Sequence, residues 1–123
     1  MSRNGKSQRA GPSGIEIPPK WEKALGRPLE EARCVFVVGP VNAGKSTFCL
    51  LAANRALEAG RRPAILDTDS GQSNVGPPTA LGAVLVSKRL ESWADSTGAE
   101  ICFLGATSPV GHLLEAATGT LVL

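Results

Sequence analysis

Apolar residues fall in short runs separated by polar stretches rich in glycine and proline. Cys34-Val35-Phe36-Val37-Val38 is apolar without alternation, the pattern of a strand covered on both faces, and predicts a strand over residues 33–38. From about residue 44 to 59 the period becomes helical, with Phe48, Leu51, Ala52 and Ala56 on one stripe and Gly60 as a natural stop. Arg61-Arg62-Pro63 leads into a second strand, Ala64-Ile65-Leu66-Asp67. Strand, helix and strand in that order predict a βαβ unit with a right-handed crossover. The expected class is α/β, a parallel sheet flanked by helices.

Weaker patterns fill in the rest. Residues 82–87 and 101–104 read as further strands, and a helical pattern begins near Gly111 and runs to the last residues, Leu121-Val122-Leu123. Lys20 to Leu25 reads as a short helix with Pro19 at its first turn, placing Trp21 and Leu25 on one face. Trp21 is expected to pack on the core, with adenine stacking as the alternative. Trp93 is expected to anchor a turn or the core, Lys88, Arg89 and Glu91 to form a solvated face, and Asp95-Ser96-Thr97-Gly98 a turn. Residues 1–14 have little to bury and are expected to be a disordered tail, followed by one domain over 15–123.

Composition narrows the class. At 42% hydrophobic residues the chain is ordinary for a globular protein, and no apolar run approaches the roughly 18 residues of a membrane span. No apolar segment follows Arg3, Lys6 and Arg9, so a secretory leader is not expected; the reading is cytoplasmic, or nuclear in a eukaryote. Thirteen basic against eleven acidic residues give a net charge of +2, too small to argue for nucleic acid from electrostatics. The three cysteines, Cys34, Cys49 and Cys102, lack a CxxC spacing and are expected to be buried free thiols. Nucleotide-binding α/β domains usually need about 150 residues or more, so 123 residues suggest an incomplete, N-terminal part of such a domain.

Chemistry concentrates in three loops that leave strand ends. The first is Gly39-Pro40-Val41-Asn42-Ala43-Gly44-Lys45-Ser46-Thr47, with the spacing of a phosphate-binding loop between a strand and a helix. Gly39 is expected to let the chain turn off the strand, and Gly44 to admit a backbone closed to other residues, so that N–H groups converge on phosphate oxygens. The following helix adds its unpaired donors and the positive end of its dipole. Lys45 would reach the β- and γ-phosphates and Ser46 would ligate Mg²⁺.

The second loop is Asp67-Thr68-Asp69-Ser70-Gly71-Gln72-Ser73-Asn74-Val75-Gly76-Pro77-Pro78-Thr79. A plain turn explains its composition but not two acids and an amide set so close together. Magnesium that bridges phosphates takes carboxylate oxygens, and an acceptor hydroxyl needs a carboxylate base, so Asp67 and Asp69 are candidate metal ligands and Asp69 is the candidate base. The third loop, Gly105-Ala106-Thr107-Ser108-Pro109-Val110-Gly111-His112, carries hydroxyls suited to a substrate phosphate, but the residues alone favour a Ser-Pro turn capping the next helix. His112 at a helix start receives no chemical role.

Together these three stretches resemble the polynucleotide 5′-hydroxyl kinase family, which includes RNA-processing kinases and the kinase subunit of the messenger-RNA cleavage factor. The phosphate loop is common to many NTPases; D-x-D-x-G-Q at this distance from Lys45, followed by T-S-P-x-G-H, is far more specific. The resemblance runs from about Ile15 to the end, and Ile17-Pro18-Pro19-Lys20-Trp21-Glu22 is similar to the entry of archaeal-type members. It implies transfer of the γ-phosphoryl of ATP or GTP, with Mg²⁺, to the 5′-hydroxyl end of RNA or DNA, with RNA-processing proteins as partners. It also implies that Asp69 activates the 5′-hydroxyl or orders the metal, that Gln72 lies near the transferred group, and that Thr107 and Ser108 face the terminal nucleotide. Some members have glycine after the double proline where this chain has Thr79, and members continue into an arginine-bearing lid and further strands.

Two other readings stand beside the kinase. A nucleotide-dependent assembly module without catalysis would need neither Asp69 nor Gln72. A small-metabolite kinase or NTPase would share the first loop but not the T-S-P-x-G-H stretch.

Overall fold

The computed structural model describes residues 14–123, so all but the last residue of the expected N-terminal tail lies outside the described residues. The short α1 (Pro19–Ala24) starts on a proline, which suits the first turn because its missing N–H would be unpaired there anyway. It is followed by α2 (Arg27–Glu31) and the longer α3 (Lys45–Glu58). Strands β1 (Ala64–Asp67), β2 (Ala80–Leu85) and β3 (Glu100–Phe103) make one sheet in the order β1-β2-β3, and α4 (Leu113–Val122) ends the chain.

The sheet corrects the expected topology. Both pairings are antiparallel, Asp67 opposite Gly82 and Ala80 opposite Phe103, so among the described residues there is no parallel βαβ crossover. The cause is local: the loop from Asp67 to Thr79 folds back on itself, Thr79 N–H donating to the Ser70 carbonyl at 2.9 Å, and returns β2 alongside β1 without a helix between them. Since β1 and β3 both oppose β2, they run in the same direction. The loops that follow them therefore leave the same end of the sheet.

The second correction concerns residues 33–38. They belong to no strand, and Phe36 and Val38 are 89% and 85% exposed. An unbroken apolar run specifies a covered strand only if neighbours supply the cover, which is a tertiary matter the run itself does not carry. Cys34 in this stretch is exposed, while Cys49 and Cys102 are partly buried; all three are free thiols.

The core lies between α3 and one face of the sheet. Leu50 and Ala53 of α3 pack with Val86 and Leu90, and Ile65 and Trp93 close over them, so Trp93 is a core anchor as expected. The buried stripe of α3, Leu50, Leu51, Ala53 and Asn54, is rotated from the expected one. Asn54 explains part of the rotation: its side-chain amide donates to the Leu90 carbonyl at 2.7 Å and its oxygen accepts from the Leu90 N–H at 2.9 Å, a buried polar group fully paired with backbone. Beyond it, Arg89 is not merely solvated but bridges Glu58 at 2.6 Å and Glu91 at 2.8 Å. On the opposite face α4 lies close to the sheet at Gly119, where a Cβ would come within 2.7 Å of Cys102 Sγ and 3.1 Å of Leu81 Cδ1.

Candidate nucleotide-binding site

The first loop turns at its centre, with Ala43 N–H donating to the Pro40 carbonyl at 3.3 Å, and delivers the chain into α3, whose Phe48 N–H bonds the Gly44 carbonyl at 2.9 Å. Two residues take left-handed backbone: Gly44 at φ +84° and Asn42 at φ +60°, asparagine being one of the few residues with a Cβ that visits this region readily. Gly39 is not left-handed, and a Cβ there would meet Ala43 Cβ at an ordinary 3.5 Å, so the conformational demand falls on Asn42 and Gly44 rather than on Gly39. Gly44 has a second reason to lack a side chain: a Cβ would stand 2.9 Å from the Trp21 ring. Trp21 also meets Phe48 edge-on, ring centroids 5.4 Å apart. It thus packs half-buried against Phe48 and the loop, outside the core cluster of α3 and the sheet.

Lys45 folds back over the loop, its Nζ donating to the Pro40 carbonyl at 2.8 Å. Val41 is exposed at the loop's rim, and Ser46 and Thr47 open α3. Here the helix dipole and its unpaired N–H groups concentrate positive potential.

The second loop is built on its acids. Asp67 Oδ1 accepts from Asp69 N–H at 3.0 Å, and Oδ2 accepts from Asn74 N–H at 2.6 Å and Val75 N–H at 3.2 Å. Asp67, expected as a metal ligand, therefore spends both oxygens on the loop's amides. Asp69 Oδ1 takes the Gly71 and Gln72 N–H groups at 3.1 and 3.0 Å, fixing the turn that carries the exposed Gln72; among the described residues Asp69 Oδ2 has no hydrogen-bond partner. Burial raises the Cys49 thiol above its ordinary range, with the negative charge of Asp67 adding to the effect.

One hydrogen bond joins the first two loops: Asn74 Nδ2 donates to Ser46 Oγ at 2.9 Å. The third loop joins through backbone. Thr79 accepts from Leu104 N–H at 2.9 Å and Gly105 N–H at 3.0 Å, and a Cβ on Gly71 would lie 2.9 Å from the Thr107 carbonyl oxygen. Thr107 and Ser108 are exposed there; Ser108 Oγ accepts from Val110 N–H at 3.2 Å, closing its own turn rather than capping α4, and His112 occupies the cap position with no side-chain bond.

Asn74 escaped the sequence reading. It stands in a polar loop with no periodicity to mark it, and only the folded chain shows which hydroxyl it meets. The available donors suit magnesium: a serine hydroxyl and carboxylates are hard oxygen ligands, and no group of three or more His, Cys, Asp or Glu side chains among the described residues forms a closed cage for another metal. Magnesium needs only one or two protein carboxylates where phosphate oxygens and water complete its shell.

A phosphate loop at the start of a helix, beside an acid-bearing loop at the sheet's end, defines a P-loop nucleotide-binding protein. The family model described as mRNA cleavage and polyadenylation factor CLP1 P-loop matches residues 39–121, and the chain belongs to that family. A polyribonucleotide 5′-hydroxyl-kinase of Pyrococcus abyssi is 32% identical over 95 residues, covering 77% of this chain and 27% of the relative. The polyribonucleotide 5′-hydroxyl-kinase Clp1 of Xenopus laevis is 36% identical over 77 residues, 61% of this chain and 18% of the relative. A CLP1 homologue of Nematostella vectensis is 39% identical over 77 residues, again 61% and 18%. The chain thus spans no more than about a quarter of these relatives' length. Among the described residues no helix is long and apolar enough to cross a membrane.

Proposed function

We propose that this chain carries the phosphate-binding and acid loops of a polynucleotide 5′-hydroxyl kinase, which transfers the γ-phosphoryl of ATP or GTP to the 5′-hydroxyl of RNA or DNA. The observation that carries the reading is the Asn74–Ser46 hydrogen bond, which ties the phosphate loop to the loop bearing Asp69 and Gln72. Relatives bearing the name polyribonucleotide 5′-hydroxyl-kinase support the substrate class.

In this reading the amides of residues 39–47 hold the β- and γ-phosphates. Lys45 leaves the Pro40 carbonyl for them, since an ammonium gains more from phosphate than from a neutral carbonyl. Ser46 and Asp69 would hold Mg²⁺, which when bound neutralises charge on the β- and γ-phosphates, and Asp67 supports them by shaping the loop. Asp69 accepts the proton of the 5′-hydroxyl as its oxygen bonds to the γ-phosphorus and the bond to the nucleoside diphosphate breaks. Gln72 lies beside the transferred group, and Thr107 and Ser108 meet the terminal nucleotide. RNA-processing proteins are the proposed partners, in the nucleus or the cytoplasm.

The test is transfer of radiolabel from γ-labelled ATP to a 5′-hydroxyl oligonucleotide by the full-length protein carrying this chain. Labelled product is expected, and Lys45→Ala should weaken ATP binding about tenfold or more and remove transfer. Mg²⁺-dependent ATP binding with no label on RNA or DNA ends would refute the kinase reading.

A further inference from the structure

Asn74 has no part in the roles proposed above, yet it makes the only side-chain bond from the acid loop to the phosphate loop among those described. Its position is set independently of its side chain: Asp67 Oδ2 holds its N–H at 2.6 Å and the neighbouring Val75 N–H at 3.2 Å. The carboxamide is partly buried, and Nδ2 reaches Ser46 Oγ at 2.9 Å.

We infer that Asn74 is a positioning residue for the metal-facing hydroxyl of Ser46, and thereby sets how much magnesium the nucleotide site needs. The inference rests on the nucleotide-binding reading. A serine hydroxyl has one O–H to donate and two lone pairs to accept with, and it turns freely unless a partner fixes it. Nδ2 only donates, so it occupies one lone pair and leaves the other for a cation. It also cannot accept the hydroxyl hydrogen, which must point elsewhere. Asn74 thus presents Ser46 with a lone pair directed outward and adds no charge of its own. Groups that orient a ligand in this way usually affect metal affinity strongly.

Asn74→Ala separates this from a structural role, because alanine keeps the backbone N–H that Asp67 holds and so preserves the loop. ATP affinity is measured by calorimetry in EDTA and across a magnesium series, using wild-type chain, Asn74→Ala and Asn74→Asp. The expected result for Asn74→Ala is an unchanged affinity in EDTA, with the magnesium concentration for half-maximal tightening raised about tenfold. Asn74→Asp, which adds a carboxylate beside Ser46, should lower that concentration below the wild-type value. A wild-type magnesium dependence in Asn74→Ala would overturn the assignment, and so would an equal loss of affinity with and without magnesium. Failure of the wild-type chain to bind ATP at all would refute the nucleotide-binding reading and the assignment together, an outcome visible before any variant is made.

Discussion

Thr79 holds a backbone angle of φ +70°, a region that β-branched residues rarely enter. It stays there because three backbone bonds leave it little choice: its N–H goes to Ser70, and its carbonyl takes Leu104 and Gly105. Glycine, which some members of the kinase family carry after the double proline, would relieve that strain. Thr79→Gly is therefore expected to raise stability by about 1 kcal/mol, the relief of left-handed strain less the extra freedom glycine has when unfolded, read as a higher urea midpoint. A lower midpoint would show that the threonine side chain contributes more than its backbone costs. Lys45, Ser46, Asp67 and Asp69 could be singled out by residue type and spacing and Asn42 by its place in the phosphate loop, whereas the left-handed backbone of Asn42 and the role of Asn74 could not, because that angle and that partner exist only in the folded chain.

Among the elements, β2 links core and site. Gly82 lies at its centre, opposite Asp67, and a Cβ there would overlap the Val75 carbonyl of the acid loop. Glycine within a strand is the sequence sign of such a close approach. Gly82→Ala is expected to cost about 3 kcal/mol or more by pushing that loop off the sheet, and to weaken ATP binding through the lost Asn74–Ser46 contact. Chemical denaturation and calorimetry on the same variant check both, and an unaltered midpoint would contradict the packing. Helix α3 and strands β1 and β3 were legible from periodicity and glycine stops to within a residue or two. The pairing direction was not, because the turn chemistry of a thirteen-residue loop decides it: the Asp67 and Ser70 bonds fold that loop back, and no hydrophobic pattern records them. The same non-local dependence leaves residues 33–38 outside the sheet, all but Val37 of them exposed, despite their strand-like composition.

For the molecule as a whole, what survives the change of topology is the convergence of loops. A parallel sheet would have gathered them at the carboxyl ends of its strands. Here β1 and β3 still point the same way across an antiparallel β2, so the acid loop and the Thr107–Ser108 loop meet at one end, and Ser46 is bonded to that cluster. In the proposed mechanism Asp69, carried on this cluster, accepts the proton of the 5′-hydroxyl in the transfer step, a duty beyond its share in holding the metal.

The most direct test is Asp69→Asn in the full-length protein carrying this chain, with ATP affinity and the rate of phosphoryl transfer to a 5′-hydroxyl oligonucleotide measured side by side. Asparagine keeps an oxygen for the Gly71 and Gln72 amides but cannot accept the hydroxyl proton. ATP affinity measured in EDTA is expected within about threefold of wild type, and transfer with magnesium slowed by about a hundredfold or more. Transfer at the wild-type rate would contradict the proton-accepting role of Asp69.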